Sequence, residues 1–103
     1  METLAQAFPD LCADLVRALE DSGRSDLAGQ VPFFRIANVT FDNSADAGYI
    51  YAHPVGSAHG ETIPLENSAS VIVDVDTDGK LKGVELLSPS GTLKSELRRH
   101  AAV

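Results

Sequence analysis

The sequence predicts an α+β fold: an antiparallel β-meander of about four to five strands, with one helix before it and one after it in the chain. Two observations lead to this fold class. Apolar residues recur at steps of three and four at about residues 9–22, the period of an amphipathic helix, and Leu93 and Leu97 stand four apart among charged residues at about residues 91–99. Between these segments, short runs of β-branched and aromatic residues alternate with turn-forming residues, a pattern typical of an antiparallel sheet.

The N-terminal helix, at about residues 9–22, is predicted from one apolar stripe and from residues that suit its two ends. Pro9 fits the first turn, where its missing N–H costs nothing, and Gly23 marks the end of the helix. Thr3 and Gln6 can cap a separate earlier turn, which Pro9 divides from the main helix. The stripe consists of Leu4, Phe8, Leu11, Cys12, Leu15 and Leu19.

A first hairpin is predicted from two runs of β-forming residues. Phe34 to Phe41 and Tyr49 to Tyr51 are rich in such residues, and the segment between them, Asp42 to Asp46, consists of turn formers. Glu61 to Glu66 is predicted to be a short edge strand, because Pro64 has no N–H to give to a central ladder.

The strongest β pattern is a second hairpin with the turn Asp76-Thr77-Asp78-Gly79. The run from Val71 to Val75 precedes this turn, and the run from Leu81 to Leu87 follows it. With Gly79 in the left-handed conformation, Asp76 is expected to face Lys80. Counting outward from that pair gives the predicted register, which places Val75 opposite Leu81, Asp74 opposite Lys82, Val73 opposite Gly83, Ile72 opposite Val84 and Val71 opposite Glu85.

The chain is expected to form a single domain, residues 1–103, because its length fits one hydrophobic core. Within it, residues 1–35 are assigned to a helical extension, residues 36–90 to the β-meander core, and residues 91–103 to the terminal helix and a short tail.

The charge and the apolar pattern exclude several kinds of partner. Acidic residues outnumber basic ones by 15 to 8, which gives a formal net charge of −7, so no nucleic-acid partner is expected. The apolar runs are too short to cross a bilayer, and the N-terminus lacks the basic and apolar regions of a secretory signal. A cytoplasmic protein without membrane contact is therefore expected, and its acidic surface could attract a basic protein partner.

One motif points to a metal ion. Asp74, Asp76, Asp78 and Glu85 match the spacing of a calcium-binding loop, in which alternate carboxylates and a closing glutamate surround the ion. Such a loop joins two helices, whereas both flanks here have strand character, and the predicted register places Glu85 several residues from the turn. These residues are therefore interpreted as a hairpin turn, and no metal or cofactor is expected.

A second candidate for chemistry is the loop at residues 53–61. It contains His53, Ser57 and His59, and Asp46 and Glu61 are close in sequence. The two histidines lie in a Pro/Gly-rich segment and do not have the i, i+4 spacing of a helical metal pair. A solvated loop is the favoured interpretation, and a small metal site or an active site is the alternative.

The remaining reactive side chains point to no catalytic site. Cys12 is the only cysteine, so no internal disulfide can form, and its helical spacing predicts a small buried hydrophobe. Tyr49 and Tyr51 alternate to the same face of their strand, where they can form a binding platform or pack against a helix or a partner chain. No residue is assigned a catalytic role.

Two segments carry a family resemblance. Val39 to Ile50 resembles the pattern v-x-[YF]-D-x-x-x-D-x-x-Y-I, and Val73 to Leu87 resembles D-x-D-x-x-G-x-[LV]-x-G-[IV]-E-[IL]-L. Together, over about residues 38–90, they are similar to the YuzE-like family, domain of unknown function 2283. The resemblance implies a compact β-meander followed by a short helix. The family has no established activity, so the resemblance implies no catalytic residue.

These observations favour a non-enzymatic protein-interaction or structural module that forms a homo-oligomer such as a dimer. Pairing through an edge strand or through the helical extension would remove exposed sheet edges. One alternative is an acidic, antitoxin-like regulator that binds a basic protein. The other is a small metal-binding protein or enzyme that uses the 53–61 loop.

Overall fold

The computed structural model describes residues 2–53, 58–65 and 71–101, and both predicted helices form in this part of the chain. Gly23 follows the main helix with a φ of +76°, a conformation that favours glycine. Thr3 caps the short helix before it, since its hydroxyl accepts from the N–H of Gln6 at 3.2 Å and the Gln6 side chain accepts from the N–H of Thr3 at 2.9 Å. The helices are α1 (Leu4–Ala7), α2 (Pro9–Asp21), α3 (Ser25–Ala28) and α4 (Gly91–Ala101), with a 3-10 turn at Val31–Phe33.

The strands form one antiparallel five-stranded sheet, which confirms the predicted α+β class. They are β1 (Arg35–Asp42), β2 (Ala47–His53), β3 (His59–Leu65), β4 (Val71–Asp76) and β5 (Leu81–Leu87). The strand order is β1-β2-β5-β4-β3, so the sheet differs from a sequential meander in one step: β5, and not β3, lies beside β2. A sequential order would place β3 and its Pro64 in the centre of the sheet, where the missing N–H would break a ladder, whereas the observed order places β3 at an edge.

The second hairpin turns at the predicted residues. The N–H of Asp76 donates to the carbonyl of Lys80 at 2.9 Å, Gly79 has a φ of +80°, and Val75 lies opposite Leu81. Beyond that pair the predicted register is wrong by one residue. The observed pairs are Asp74 with Gly83, Val73 with Val84, Ile72 with Glu85 and Val71 with Leu86.

A β-bulge at Lys82 causes this shift. Leu81 and Val84 both pack against the hydrophobic core, although they are three residues apart and a regular strand would point them to opposite faces. One extra residue on β5 lets the side chains of Leu81 and Val84 point to the same face of the sheet. The bulge turns Gly83 and Glu85 away from the core.

One face of the sheet and the helices form a single hydrophobic core, so the N-terminal segment packs on its own sheet. Leu97 is the buried residue of α4, and Cys12 on α2 is buried as predicted. Burial raises the pKa of the Cys12 thiol. The fully buried large side chains are Leu4, Phe8, Leu15, Leu19, Leu27, Val31, Ile50, Val73, Val84, Leu86 and Leu97.

The other face of the sheet, here called the open face, is not covered by any helix in the described ranges. Its residues alternate with the core residues along each strand. Tyr51 is 44% exposed and Leu87 is 37% exposed. The central residues of the open face are Thr40, Tyr49, Tyr51, Thr62, Ile72, Asp74, Gly83 and Glu85, and Arg35 and His53 lie at one end.

Candidate functional site

The centre of the open face holds a network of polar side chains from three strands. The Tyr49 hydroxyl donates to Asp74 Oδ2 at 2.6 Å, and the Thr62 hydroxyl donates to Asp74 Oδ1 at 3.0 Å. The Thr62 oxygen also lies 3.0 Å from His59 Nε2. Because the only Thr62 hydroxyl proton is directed at Asp74, His59 Nε2 is the donor in this last contact. Both carboxylate oxygens of Asp74 are therefore occupied by hydroxyl donors.

This order of groups differs from that of a catalytic triad. In a triad the carboxylate orients the histidine, and the histidine accepts the proton of the nucleophile. Here Asp74 accepts the Thr62 proton directly, and His59 donates to Thr62. The arrangement links β2, β4 and β3 to one another through side-chain hydrogen bonds.

Gly83 allows Tyr49 to reach Asp74. Tyr49 lies opposite Glu85 in the ladder, while Gly83 lies opposite both Tyr51 and Asp74. The Tyr49 ring therefore crosses diagonally over Gly83, and a β-carbon at position 83 would overlap the ring. The Tyr49 and Tyr51 rings lie 4.4 Å apart between centroids with a 48° tilt. The two tyrosines share one face, as the alternation predicted, and form a small aromatic surface on it.

Burial raises the pKa of Tyr49 well above its usual range, and the hydrogen bond to Asp74 adds to this effect. The phenol therefore stays protonated and keeps its role as donor. Glu85, directly opposite in the ladder, raises the pKa of Tyr49 further through its negative charge.

The free energy of unfolding is expected to fall less steeply above about pH 10 when Tyr49 is replaced with phenylalanine. Folded Tyr49 keeps its proton at a pH where the unfolded residue releases it, so rising pH favours the unfolded state. This contribution to stability is complete below about pH 10 and is lost as the pH rises further. Urea unfolding of both proteins at a series of alkaline pH values measures the slope. Cys12 is present in both proteins, so its ionisation contributes equally to both slopes. Equal slopes would contradict the raised pKa of Tyr49 in the folded state.

Two side chains of opposite charge on the open face make no hydrogen bond or ion pair within the described residues. Glu85 is half-buried between Tyr49 and Ile72, its neighbours across the ladder. Arg35 is exposed at the start of β1, opposite His53. A carboxylate beside an aromatic ring and an aliphatic side chain is a suitable contact for a cation from another molecule.

The acidic turn has a structural explanation. The Asp76 side chain is 4% exposed, and its Oδ1 accepts the N–H groups of Asp78 at 2.8 Å and Lys80 at 3.0 Å. Asp74 is bound by Tyr49 and Thr62, and Glu85 lies on the open face. Across residues 2–53, 58–65 and 71–101, no three His, Cys, Asp or Glu side chains come together as a metal-binding group would require. The structure does not bring the four candidate calcium ligands together.

Replacing Asp76 with alanine is expected to lower the free energy of unfolding by about 2 kcal/mol, because two backbone N–H groups lose their acceptor. The matched control is Asp78→Ala at the exposed position of the same turn, where a change of about 0.5 kcal/mol or less is expected. Chemical denaturation measures both. Millimolar calcium is expected to leave the melting midpoint of the wild type unchanged. Equal effects of the two substitutions, or a rise in the midpoint with calcium, would contradict the structural role.

The candidate groups of the 53–61 loop are separated in the structure. His53 lies on β2 and His59 on β3, with β5 and β4 between them in the sheet. Glu61 lies 3.4 Å from the Arg24 guanidinium, and Asp46 lies 3.1 Å from Lys94. Ser57 lies outside the described residues. The enzyme or metal-site alternative remains a hypothesis to which these contacts add no support.

The fold and this surface define a class of small α+β protein in which helices cover one face of an antiparallel sheet and the other face stays open. The family model of the proteins of unknown function DUF2283 matches residues 38–90, and the chain belongs to this family. The match includes Tyr49, Asp74, Gly83 and Glu85, whereas Arg35 precedes it. No significant match was found among the curated proteins or among the solved structures. None of the helices in the described ranges has the length and apolarity needed to cross a membrane.

The sequence pointed to Tyr49 and Tyr51, and to Asp74 and Glu85 only as calcium candidates; it did not reveal Asp74 as the hydrogen-bonding partner of Tyr49, and Arg35 was not singled out. The available signal for the contact between Tyr49 and Asp74 was Gly83, since a glycine in the interior of a strand often marks the close approach of another group. The sequence gives no comparable signal for Arg35, whose place on the open face depends on the pairing of β1 with β2.

Proposed function

We propose that the protein is a non-enzymatic interaction module and that its open face docks on a second copy of the chain. The observation that carries this proposal is the exposed face itself, with Tyr51 and Leu87 at its surface and the Tyr49 ring in contact with that of Tyr51. Ordered aromatic side chains supply large contact areas at low entropic cost. Unpaired Glu85 and Arg35 give the face both signs of charge.

Partial obstruction of both sheet edges supports docking through the face. At one edge, β3 carries Pro64, which offers no N–H to an incoming strand. At the other edge, the start of β1 is already paired, since the N–H of Ile36 donates to Glu2 and the N–H of Leu4 donates to Phe34. The face is thus a better contact surface than either edge.

The dimensions of the sheet set the expected strength of the contact. Five strands of about seven residues give a face of roughly 24 by 23 Å. Two such faces bury on the order of 1,000 Å² in total, near the lower limit for specific interfaces. We therefore expect a dimer that dissociates on dilution.

Light scattering on a dilution series tests the proposal. The wild type is expected to change from a dimer to the 10.9 kDa monomer on dilution. Tyr51→Ser and Leu87→Ser are expected to weaken the dimer. Phe33→Ser is the matched control, because Phe33 is 78% exposed but lies in the 3-10 turn outside the sheet. A wild type that is monomeric at every concentration would contradict self-docking, and an equal effect of all three substitutions would contradict the assignment to the open face.

A basic partner chain is the second candidate occupant of the same face. The half-buried Glu85 beside Tyr49, together with the net charge of −7, favours a ligand that presents arginine or lysine. A monomeric wild type whose Tyr51→Ser and Glu85→Gln variants lose affinity for a basic polypeptide would support this candidate over self-docking.

A further inference from the structure

We infer that Arg35 of each copy forms an ion pair with Glu85 of the partner subunit, across a two-fold axis that passes over Tyr51. This inference rests on the proposed function, since it specifies how two open faces meet. Its basis is a pair of oppositely charged side chains on the open face, Arg35 and Glu85, that make no hydrogen bond or ion pair among the described residues.

The positions of these charges in the sheet are related through Tyr51. Arg35 lies opposite His53 in the β1–β2 ladder, and Glu85 lies opposite Tyr49 in the β2–β5 ladder. Along β2, Tyr51 is halfway between His53 and Tyr49. Across the sheet, β2 is the strand between β1 and β5. Tyr51 therefore lies at the midpoint of the line that joins Arg35 to Glu85.

This geometry suits a symmetric dimer. The two charges are separated by about 13 Å along the strands and about 10 Å across them. A two-fold axis that lies between two stacked sheets, passes over Tyr51 and runs perpendicular to the Arg35–Glu85 line exchanges the two positions. Each Arg35 then faces a Glu85, and Tyr51 faces its own copy. Stacked sheets lie about 10 Å apart, a gap that an arginine and a glutamate side chain together can span.

Four of the seven other basic side chains are already engaged, including Arg17, which lies 3.5 Å from Asp14. Arg24 contacts Asp26 and Glu61, Lys94 contacts Asp46, and Arg98 donates to Asn43 at 2.7 Å. Arg35 is different because it is exposed and shares a face with an unpaired acid. The pairing is also reciprocal, as an interface with two-fold symmetry requires, because the same two residues form both contacts.

A charge exchange tests the inference. Arg35→Glu and Glu85→Arg are each expected to raise the dimer dissociation constant by more than about tenfold, because each places like charges in contact at two places. The double variant Arg35→Glu/Glu85→Arg is expected to recover most of the wild-type affinity. Sedimentation equilibrium gives the dissociation constants, and thermal melting by circular dichroism checks that each variant is folded. Glu85→Gln is a milder substitution with a smaller expected loss, and it serves if Glu85→Arg does not fold.

Two controls carry the same changes in net charge. Arg99→Glu and Glu20→Arg alter exposed positions on α4 and α2, away from the open face, and are expected to leave the dissociation constant within about twofold of the wild type. If the single variants dimerise like the wild type, or if the double variant is as weak as the singles, the ion pairs are refuted while the dimer stands. If the wild type itself does not dimerise, the proposed function fails and this inference fails with it.

Discussion

Replacing Leu97 with alanine is expected to lower the free energy of unfolding by about 3 kcal/mol. Leu97 is fully buried and is the buried residue of α4, so the attachment of this helix to the sheet depends on it. Its methyl groups lie against the backbone of Gly48, where a β-carbon would come within 3.2 Å of Leu97 Cδ1. Because residue 48 has no side chain, Leu97 can pack directly on the strand backbone there. Truncation of Leu97 to alanine would leave a cavity beside Gly48 that the sheet backbone cannot close.

Urea denaturation monitored by circular dichroism measures this loss. Ser95→Ala on the same helix is the matched control, because Ser95 is exposed, and a change of about 0.5 kcal/mol or less is expected there. If Leu97→Ala lowers the free energy of unfolding by less than about 1 kcal/mol, the packing of Leu97 on Gly48 does not hold α4 to the sheet.

Replacing Gly83 with alanine is expected to cost about 2 kcal/mol, although alanine ordinarily improves a strand position. The new β-carbon would overlap the Tyr49 ring, which must then move away from Asp74. The hydrogen bond between the phenol and the carboxylate is lost, and a bond of that kind contributes about 1.5–3 kcal/mol.

A double-mutant cycle separates this cause from a general effect of alanine. In a Tyr49→Ala background, Gly83→Ala is expected to be neutral or stabilising, because the ring that it would displace is absent. Gly29→Ala is the matched control, since Gly29 has a helical φ of −66° and a β-carbon there makes only ordinary contacts. Equal costs of Gly83→Ala in the two backgrounds would show that Tyr49 is not the obstacle.

The helices and the two hairpins could be predicted because their signals are local. Periodicity and Pro9 gave the position of α2, and the turn residues 42–46 and 76–79 gave both hairpins. The neighbours of each hairpin in the sheet could not be predicted in the same way, since they depend on contacts between distant segments. The placement of β3 at an edge was predicted from Pro64 and is confirmed, and the pairing of β2 with β5 follows once that edge is fixed.

The register beyond the second turn failed for a specific reason. Counting outward from the turn assumes that each residue of β4 faces one residue of β5, and the extra residue at the Lys82 bulge breaks that assumption. The spacing of three between Leu81 and Val84, both apolar, was the available signal. The observed register determines the site, because Glu85 lies opposite Ile72 and Gly83 lies beneath the Tyr49 ring. The open face could therefore not be assembled from the sequence pattern alone.

The calcium motif shows why spacing alone does not define a site. The string of Asp74, Asp76, Asp78 and Glu85 matches a known ligand pattern, yet Asp74 is bound by Tyr49 and Thr62, Asp76 binds the backbone of its own turn, and the hairpin carries Glu85 away from that turn. Each described carboxylate has a separate environment, and the buried Asp76 stabilises its own turn.

The central claim, that two open faces meet, can be tested with the two native tyrosines. The chain contains two tyrosines and no tryptophan, and both tyrosines lie on the open face, so tyrosine fluorescence reports on that face alone. The measurement is quenching of wild-type tyrosine fluorescence by acrylamide across a dilution series, from about 1 mM to about 1 µM. We expect quenching to be weak at high concentration and to increase on dilution over the range in which the mass falls to that of the monomer. Quenching that stays constant across this range would contradict docking through the open face.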